Sequence, residues 1–401
     1  MRPVPGAVVV GASAAGLAAA DGLREGGWTH SITVLEEQRT EPYDRPMLSK
    51  GMLTDDSSAP LPLRTTQQVL DRELDIKLGH AARGLDIDRR LVVTSDGDAI
   101  PYSSLVLATG SHARPIITST GERLPTLRNL DDLSKLRALA ESGQPVTIVG
   151  AGFISLEIAA ALSERGVAVC ILGAEALPLA EVFGPQVAEW LREMHLSHKV
   201  MWRSGSKVIA VEGKRGDYLV RCDDGSTYRS AVVFAGIGDV PNDEWLTGSG
   251  VELDEGVVCD PAGRTNVPDV WAVGDVARIR GADGERGIRF GHWTNAIEHG
   301  RQVGLNISRS ETEPYHLVRS FWTEQYGHTI RSIGSRQPDG IDELTEGDLA
   351  AGAFVMIHSR DGVLNGITSS GRDRSLRGYR KLLLAGATVE DAHALAKEQR
   401  D

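Results

Sequence analysis

The chain has 401 residues, of which 41% are hydrophobic and 24% charged, with a formal net charge of −12. That length suits two to three domains, the acidic balance argues against a nucleic-acid binder, and no run approaches the ~18 apolar residues of a membrane span. Three scattered cysteines (Cys170, Cys222 and Cys259), without C-x-x-C or C-x-x-x-x-C spacing, argue against a disulfide scaffold, a zinc site or iron–sulfur ligation.

Met1–Gly6 leads straight into an apolar run, so no signal peptide and a cytoplasmic setting are expected. From Ala7 the sequence reads Ala-Val-Val-Val-Gly-Ala-Ser-Ala-Ala-Gly, followed by helix-forming Leu17-Ala-Ala-Ala. This is the strand–turn–helix opening of a dinucleotide-binding βαβ unit. Gly11 lets the chain turn off the strand, Gly16 lets the helix lie close to the sheet, and the helix start at Ser13, Ala14 and Ala15 offers free N–H groups to a pyrophosphate. Ser13 stands where the fingerprint has its middle glycine. Taken alone, the turn has an ordinary tight βα connection as its competing, less favoured reading.

The next strand, Ser31–Leu35, ends at Glu36 and Glu37, about twenty positions past the turn, where a ribose hydroxyl would be held. A solvated loop carboxylate is the competing reading. In Glu41–Lys50, two prolines fix the backbone around Arg45. Arg45 and Lys50 read either as surface cations or as groups that meet a pyrophosphate or a flavin. A hairpin around Asp96-Gly97, and then Ile100–Gly110, predict a strand that ends in the small turn Ala108-Thr109-Gly110, where backbone can approach a ligand. Ala82, ahead of that hairpin, is counted among the cofactor contacts.

Pro145–Glu157 repeats the opening pattern, with Gly150 and Gly152 in the turn and Phe153, Ile154 and Glu157 starting a helix. Two such turns in one chain point to one site for each of two dinucleotides. The second copy departs from the pattern. Ser155 replaces the third glycine, which should push the helix outward unless the hydroxyl is accommodated, and the strand Val167–Leu172 ends in Gly173 with Glu175 two residues later. A β-rich section closes at Gly236-Ile237, and Asp269–Ala277 forms a strand ending in Gly274-Asp275. Asp275 reads either as the N-cap of a following helix or as an acceptor for a ribityl hydroxyl. A helix is expected from His292-Trp293, short strands from about Pro314, and a final helix over Val389–Gln399.

These segments together carry a resemblance. Gly11-x-Ser-x-Ala-Gly16, Pro42-Tyr-Asp-Arg-Pro-x-Leu-Ser-Lys50, Ala108-Thr-Gly110, Gly150-Ala-Gly-Phe-Ile-x-Leu-Glu157, Gly236-Ile-Gly-x-x-Pro-Asn242, Gly274-Asp275, Trp293-Thr-Asn-Ala296 and Phe321-Trp-Thr-Glu-Gln325 run the length of the chain. The chain resembles the FAD-dependent, NAD(P)H-oxidising ferredoxin reductases of bacterial cytochrome P450 and ring-hydroxylating dioxygenase systems. The resemblance implies an α/β fold with two Rossmann-like, glutathione-reductase-like dinucleotide-binding domains and a small C-terminal α+β domain. It implies FAD in residues 1–112 with 243–313, the nicotinamide cofactor in 113–242, and a flavin-covering domain in 314–401.

It further implies that Arg45, Lys50 and Arg128 contact FAD and that Trp293 and Trp322 lie at the isoalloxazine, with His292 a further cofactor-binding residue. Lys50 and Glu157 are implied as the catalytic pair beside the flavin and the nicotinamide. Gly173 and Leu177 stand where the resemblance has an NADH-selecting acid and an arginine, which leaves the donor open between NADH, the expected one, and NADPH. No metal site is expected. Related disulfide reductases carry a cysteine pair after the first turn and related peroxidases one cysteine, whereas Glu36–Lys50 contains none and Tyr43 occupies that neighbourhood. That leaves an acceptor outside the chain, which the resemblance implies to be an iron–sulfur ferredoxin, met by a monomer or homodimer. Arg372–Lys381, with five cations against one acid, is the candidate docking stretch, or else a solvated helix face. A flavin oxidase or monooxygenase, and a redox sensor resembling apoptosis-inducing factor, are the alternative functions.

Overall fold

The computed structural model describes residues 5–55, 58–281, 287–309, 311–316 and 318–398. The chain divides into two compact units. The first comprises the residues up to Asp44, Pro60–His112 and Asp239–Val318; the second comprises Arg45–Ala59, Ala113–Gly238 and the residues from Arg319. Arg45 and Lys50 thus count with the second unit.

The first unit is built on a five-stranded parallel sheet in the order Val270–Ala272, Ser104–Leu107, Ala7–Val10, Ile32–Glu36, Leu74–Leu78. The first strand in sequence is central, and all four of its residues are buried. An uninterrupted apolar run, rather than an alternating one, is what a strand covered on both faces requires. The helix Ala14–Glu25 covers this sheet and pairs with the helix Trp293–Ser308. Their approach depends on small residues: a Cβ on Gly300 would strike the Ala15 carbonyl, and one on Gly304 would strike that of Ala19. The unit also holds two three-stranded sheets, Ala82–Asp86 with Leu91–Thr94 and Ala99–Pro101, and Val257–Cys259 with Ala277–Ile279 and Ile288–Arg289. Burial pushes the Cys259 thiol up to about 12, so it is no thiolate at neutral pH.

In the second unit, a four-stranded parallel sheet runs in the order Met201–Ser204, Val169–Gly173, Val146–Val149, Val232–Ala235. The helices Phe153–Glu164 and Pro185–Ser197 belong to it. A three-stranded antiparallel sheet, Val208–Lys214, Asp217–Cys222 and Thr227–Ser230, turns at Asp223-Asp-Gly225, where Gly225 has φ +84°. From Ser320 the chain forms a five-stranded antiparallel sheet in the order Ser320–Gln325, His328–Gly334, Val363–Ser370, Ala353–Arg360, Ile341–Asp348. The helices Asp373–Leu384 and Val389–Glu398 follow it. The fold is the α/β arrangement with two glycine-turn units and a C-terminal α+β section; Gln399, expected to end the last helix, lies outside the described residues.

One of the two readings of Asp275 falls away. Asp275 caps no helix: it sits inside the short 3-10 turn Gly274–Val276, and the chain continues as the strand Ala277–Ile279. Gly274 has φ +69°, a left-handed turn that leaves the strand direction without starting a helix.

Candidate functional site

The glycine turn of the first unit is a backbone cradle. Gly11 has φ +108°, and a Cβ there would collide with the Ala108 carbonyl; one on Gly16 would collide with the Gly11 carbonyl. Ser13 is the N-cap of the helix but makes no capping bond with its side chain. The first intrahelical bond runs from the Leu17 N–H to the Ser13 carbonyl (3.0 Å), so the N–H groups of Ala14, Ala15 and Gly16 have no acceptor within the helix. Such a row of donors at a positive dipole end suits a pyrophosphate. Gly274 faces the same place, because a Cβ on it would press on Ala15.

Of the two acids after the second strand, Glu36 is buried and ties that strand to the turn. Its Oε2 accepts from Ala12 N–H (2.9 Å) and its Oε1 from Gln38 N–H (2.9 Å). Glu37 is exposed and faces Arg83 at 3.2 Å. Ala82 is half-buried in its strand. Thr109 and Gly110 are zipped to Asn242: the Thr109 hydroxyl donates to the Asn242 carbonyl (2.7 Å), the Asn242 amide donates to the Thr109 carbonyl (2.8 Å), and Asn242 N–H donates to that of Gly110 (2.9 Å). Asp275 accepts from Ser111 Oγ at 3.4 Å.

His292 caps the helix that Trp293 begins, and Trp293 packs half-buried on the core. Sequence reading missed two residues here. Asn242 was quoted in a motif but given no role, and His299 carries no local signal. The His299 Nδ1 accepts from Gly274 N–H (3.4 Å), its ring stacks on Tyr315, and burial pulls it down to about 4, so it is neutral at pH 7.

In the second unit, Lys50 follows the 3-10 turn Arg45–Ser49, and Glu157 lies in the helix Phe153–Glu164. Their charged atoms are 3.0 Å apart, with side-chain exposures of 7% and 3%. Glu157 is heavily supplied with donors: besides Lys50 it takes the Ser49 hydroxyl, the Thr323 hydroxyl (2.7 Å) and Glu324 N–H (3.3 Å). The Lys50 ammonium lies 5.7 Å from the centre of the Trp322 ring, and the Trp322 indole donates to Glu324 (3.1 Å). Arg128 is half-buried, just before the Asn129 N-cap of the helix Leu130–Glu141.

The second glycine turn shows how Ser155 is accommodated. A Cβ on Gly150 (φ +99°) would strike the Gly236 carbonyl, and one on Gly236 would strike the Ser155 hydroxyl. Ser155, 1% exposed, instead donates to that carbonyl (3.3 Å), so the space of a missing side chain at Gly236 holds the hydroxyl. Gly236→Ala is accordingly expected to destabilise the protein by about 1–3 kcal/mol through overpacking. Ser155→Gly in the same chain should recover most of that loss, a coupling read from a double-mutant cycle of urea unfolding.

Gly152, the N-cap, has open space around it; Ile154 and Ile237 are 43% and 37% exposed. Glu175 is exposed on the loop after Gly173, whose own Cβ would be crowded by Ala151 and Pro178.

Residues 6–300 match the family model described as pyridine nucleotide-disulphide oxidoreductase, and residues 320–401 match the one described as reductase C-terminal. The chain is similar to putidaredoxin reductase of Pseudomonas putida, with 30% identity over 88% of this chain and 85% of that protein. It is similar also to the biphenyl dioxygenase system ferredoxin–NAD(+) reductase component of Paraburkholderia xenovorans, with 30% identity over 90% and 88%. The crystal structure of the covalent putidaredoxin reductase–putidaredoxin complex superposes with a TM-score of 0.86 at 27% identity, covering 96% of this chain and 94% of that one.

Proposed function

This chain belongs to the pyridine nucleotide-disulphide oxidoreductase family, and from that premise we propose how it works: as a flavoprotein reductase that takes electrons from NAD(P)H through FAD to a small iron–sulfur ferredoxin. That ferredoxin would feed a P450 or a ring-hydroxylating dioxygenase in the cytoplasm. The observation that carries the reading is the end-to-end likeness to ferredoxin reductase components, C-terminal section included, in a chain with no cysteine between Glu36 and Lys50.

The first-unit cradle fits FAD. The open N–H groups of Ala14, Ala15 and Gly16 would bind its pyrophosphate, and Asp275 would accept from its ribityl chain. When bound, FAD supplies hydride acceptance and the release of single electrons. The Gly150 turn, with Gly152, Phe153, Ile154, Gly236 and Ile237, would hold the nicotinamide cofactor. Lys50, held by Glu157 at 3.0 Å, would offer its positive charge to the nicotinamide and the flavin when they are bound.

NADH is the proposed donor. Gly173–Pro178 contains Glu175 and no cation that would neutralise a 2′-phosphate. Glu175→Arg is expected to shift the NADH-to-NADPH ratio of kcat/KM about tenfold toward NADPH, the worth of one charge-assisted hydrogen bond.

Arg374, Arg377 and Lys381 are exposed at helical spacing on Asp373–Leu384, a face of cations suited to an acidic ferredoxin. Reversing the charge of Arg374 and Arg377 together is expected to raise KM for the ferredoxin and flatten its salt dependence. The function itself is tested by cytochrome c reduction with NADH. Reduction that requires an added [2Fe–2S] ferredoxin supports it. Rapid oxygen consumption without one favours a direct oxidase, and a long-lived unreactive charge-transfer band favours a redox sensor.

A further inference from the structure

Behind Glu157 the second unit carries a buried row of polar side chains that the proposed reaction does not use. Thr323, whose hydroxyl donates to Glu157 Oε1, lies 3.0 Å from Gln325 Nε2. The Gln325 Oε1 is 2.8 Å from Nε2 of His195, in the helix Pro185–Ser197, and Nδ1 of His195 is 3.1 Å from the Tyr326 hydroxyl. Thr323, Gln325 and His195 are each no more than 2% exposed. Tyr326 also meets the Ser163 hydroxyl at 2.9 Å and stacks on His198.

The carboxylate dictates the direction of each link from Glu157 to His195. An ionised Glu157 only accepts, so the single Thr323 proton goes to it and the Thr323 oxygen must accept. Only the amide NH₂ of Gln325 can donate there, which turns Gln325 Oε1 toward His195. That oxygen accepts, so His195 must carry its proton on Nε2. Burial pulls His195 down to about 4, leaving one ring proton at neutral pH and a bare Nδ1 that accepts from Tyr326. Burial pushes the Tyr326 hydroxyl up to about 12, so it remains a donor. A row aligned in one sense is mutually polarising. It is not a proton path, because the amide of Gln325 would have to pass protons through its imidic acid form.

We propose that His195, as the neutral Nε2–H tautomer, is a positioning residue: through Gln325 it fixes the Thr323 hydroxyl on Glu157 and so holds the carboxylate that pairs with Lys50. The inference rests on the reading that this pair serves the nicotinamide and the flavin.

The tautomer is read directly from two-bond ¹H–¹⁵N correlations of histidine-labelled holoenzyme, with His195→Gln assigning the signal. A protonated Nε2 with a bare Nδ1 is expected, and Tyr326→Phe, which deletes one hydroxyl, should move the Nδ1 resonance alone. In the same holoenzyme, His195→Leu is expected to slow anaerobic flavin reduction by NADH about tenfold and shift the flavin potential. His195→Gln, whose amide N–H reaches the same acceptor, should stay near wild type. An Nδ1–H or doubly protonated ring at neutral pH, an Nδ1 resonance indifferent to Tyr326→Phe, or equal behaviour of the leucine and glutamine variants would overturn the proposal. The tautomer is read without turnover, so a wild type that shows no ferredoxin-dependent electron transfer would overturn the functional reading instead.

Discussion

Glu157→Leu is expected to destabilise the protein by about 3–5 kcal/mol, because it leaves the Lys50 ammonium buried without a counter-charge. Lys50→Met should cost far less, about 1–2 kcal/mol. The asymmetry follows from the donor count. Without Lys50, Glu157 still accepts from the Ser49 and Thr323 hydroxyls and from Glu324 N–H. Without Glu157, the ammonium keeps the Pro46 carbonyl at 3.4 Å and the face of Trp322, neither of which carries a formal charge. Urea unfolding of both variants in the FAD-loaded state checks the order. Equal losses would mean that the pair, rather than the carboxylate with its set of donors, organises this site.

Gly11→Ala is expected to yield protein largely without FAD. The residue sits at φ +108°, where an alanine costs about 1–3 kcal/mol in backbone strain, and its Cβ would run into the Ala108 carbonyl, which backbone cannot yield without moving the strand. Either adjustment displaces the turn that presents the Ala14–Gly16 donors. Gly152→Ala is the internal control: at φ −79° with open space around it, it should change stability by less than about 1 kcal/mol. Its effect should fall on KM for NADH, since the new methyl projects from the second turn. Flavin absorbance per protein after purification separates the two variants.

Much of this was readable in the chain because the constraints are local. A glycine that must take positive φ, as Gly11 and Gly150 must, announces itself beside an apolar run, and the parallel strands of both units follow from such runs. The α/β class was legible for the same reason, whereas the C-terminal α+β section was implied by the resemblance. What sequence order hides are partners brought from afar. Glu157 and Lys50 are 107 residues apart, and Glu157 and Thr323 are 166 apart. The pairing of Lys50 with Glu157 was reached through a resemblance, whereas Ser49 and Thr323, ordinary hydroxyl residues, had no signal of their own. Ser155 was legible as a break in a pattern, but its accommodation depends on Gly236, 81 residues on. Of the two readings of Asp275, the helix cap could not be dismissed from sequence, because a Gly-Asp after a strand looks the same whether a helix or another strand follows.

Lys50→Met, which should fold and retain FAD, permits the most direct test of the account: anaerobic stopped-flow reduction of the bound flavin by NADH. Slower reduction with unchanged flavin content is the predicted result. A rate constant and a flavin potential equal to those of the wild type would contradict the claim that the buried Lys50–Glu157 pair serves transfer from nicotinamide to flavin.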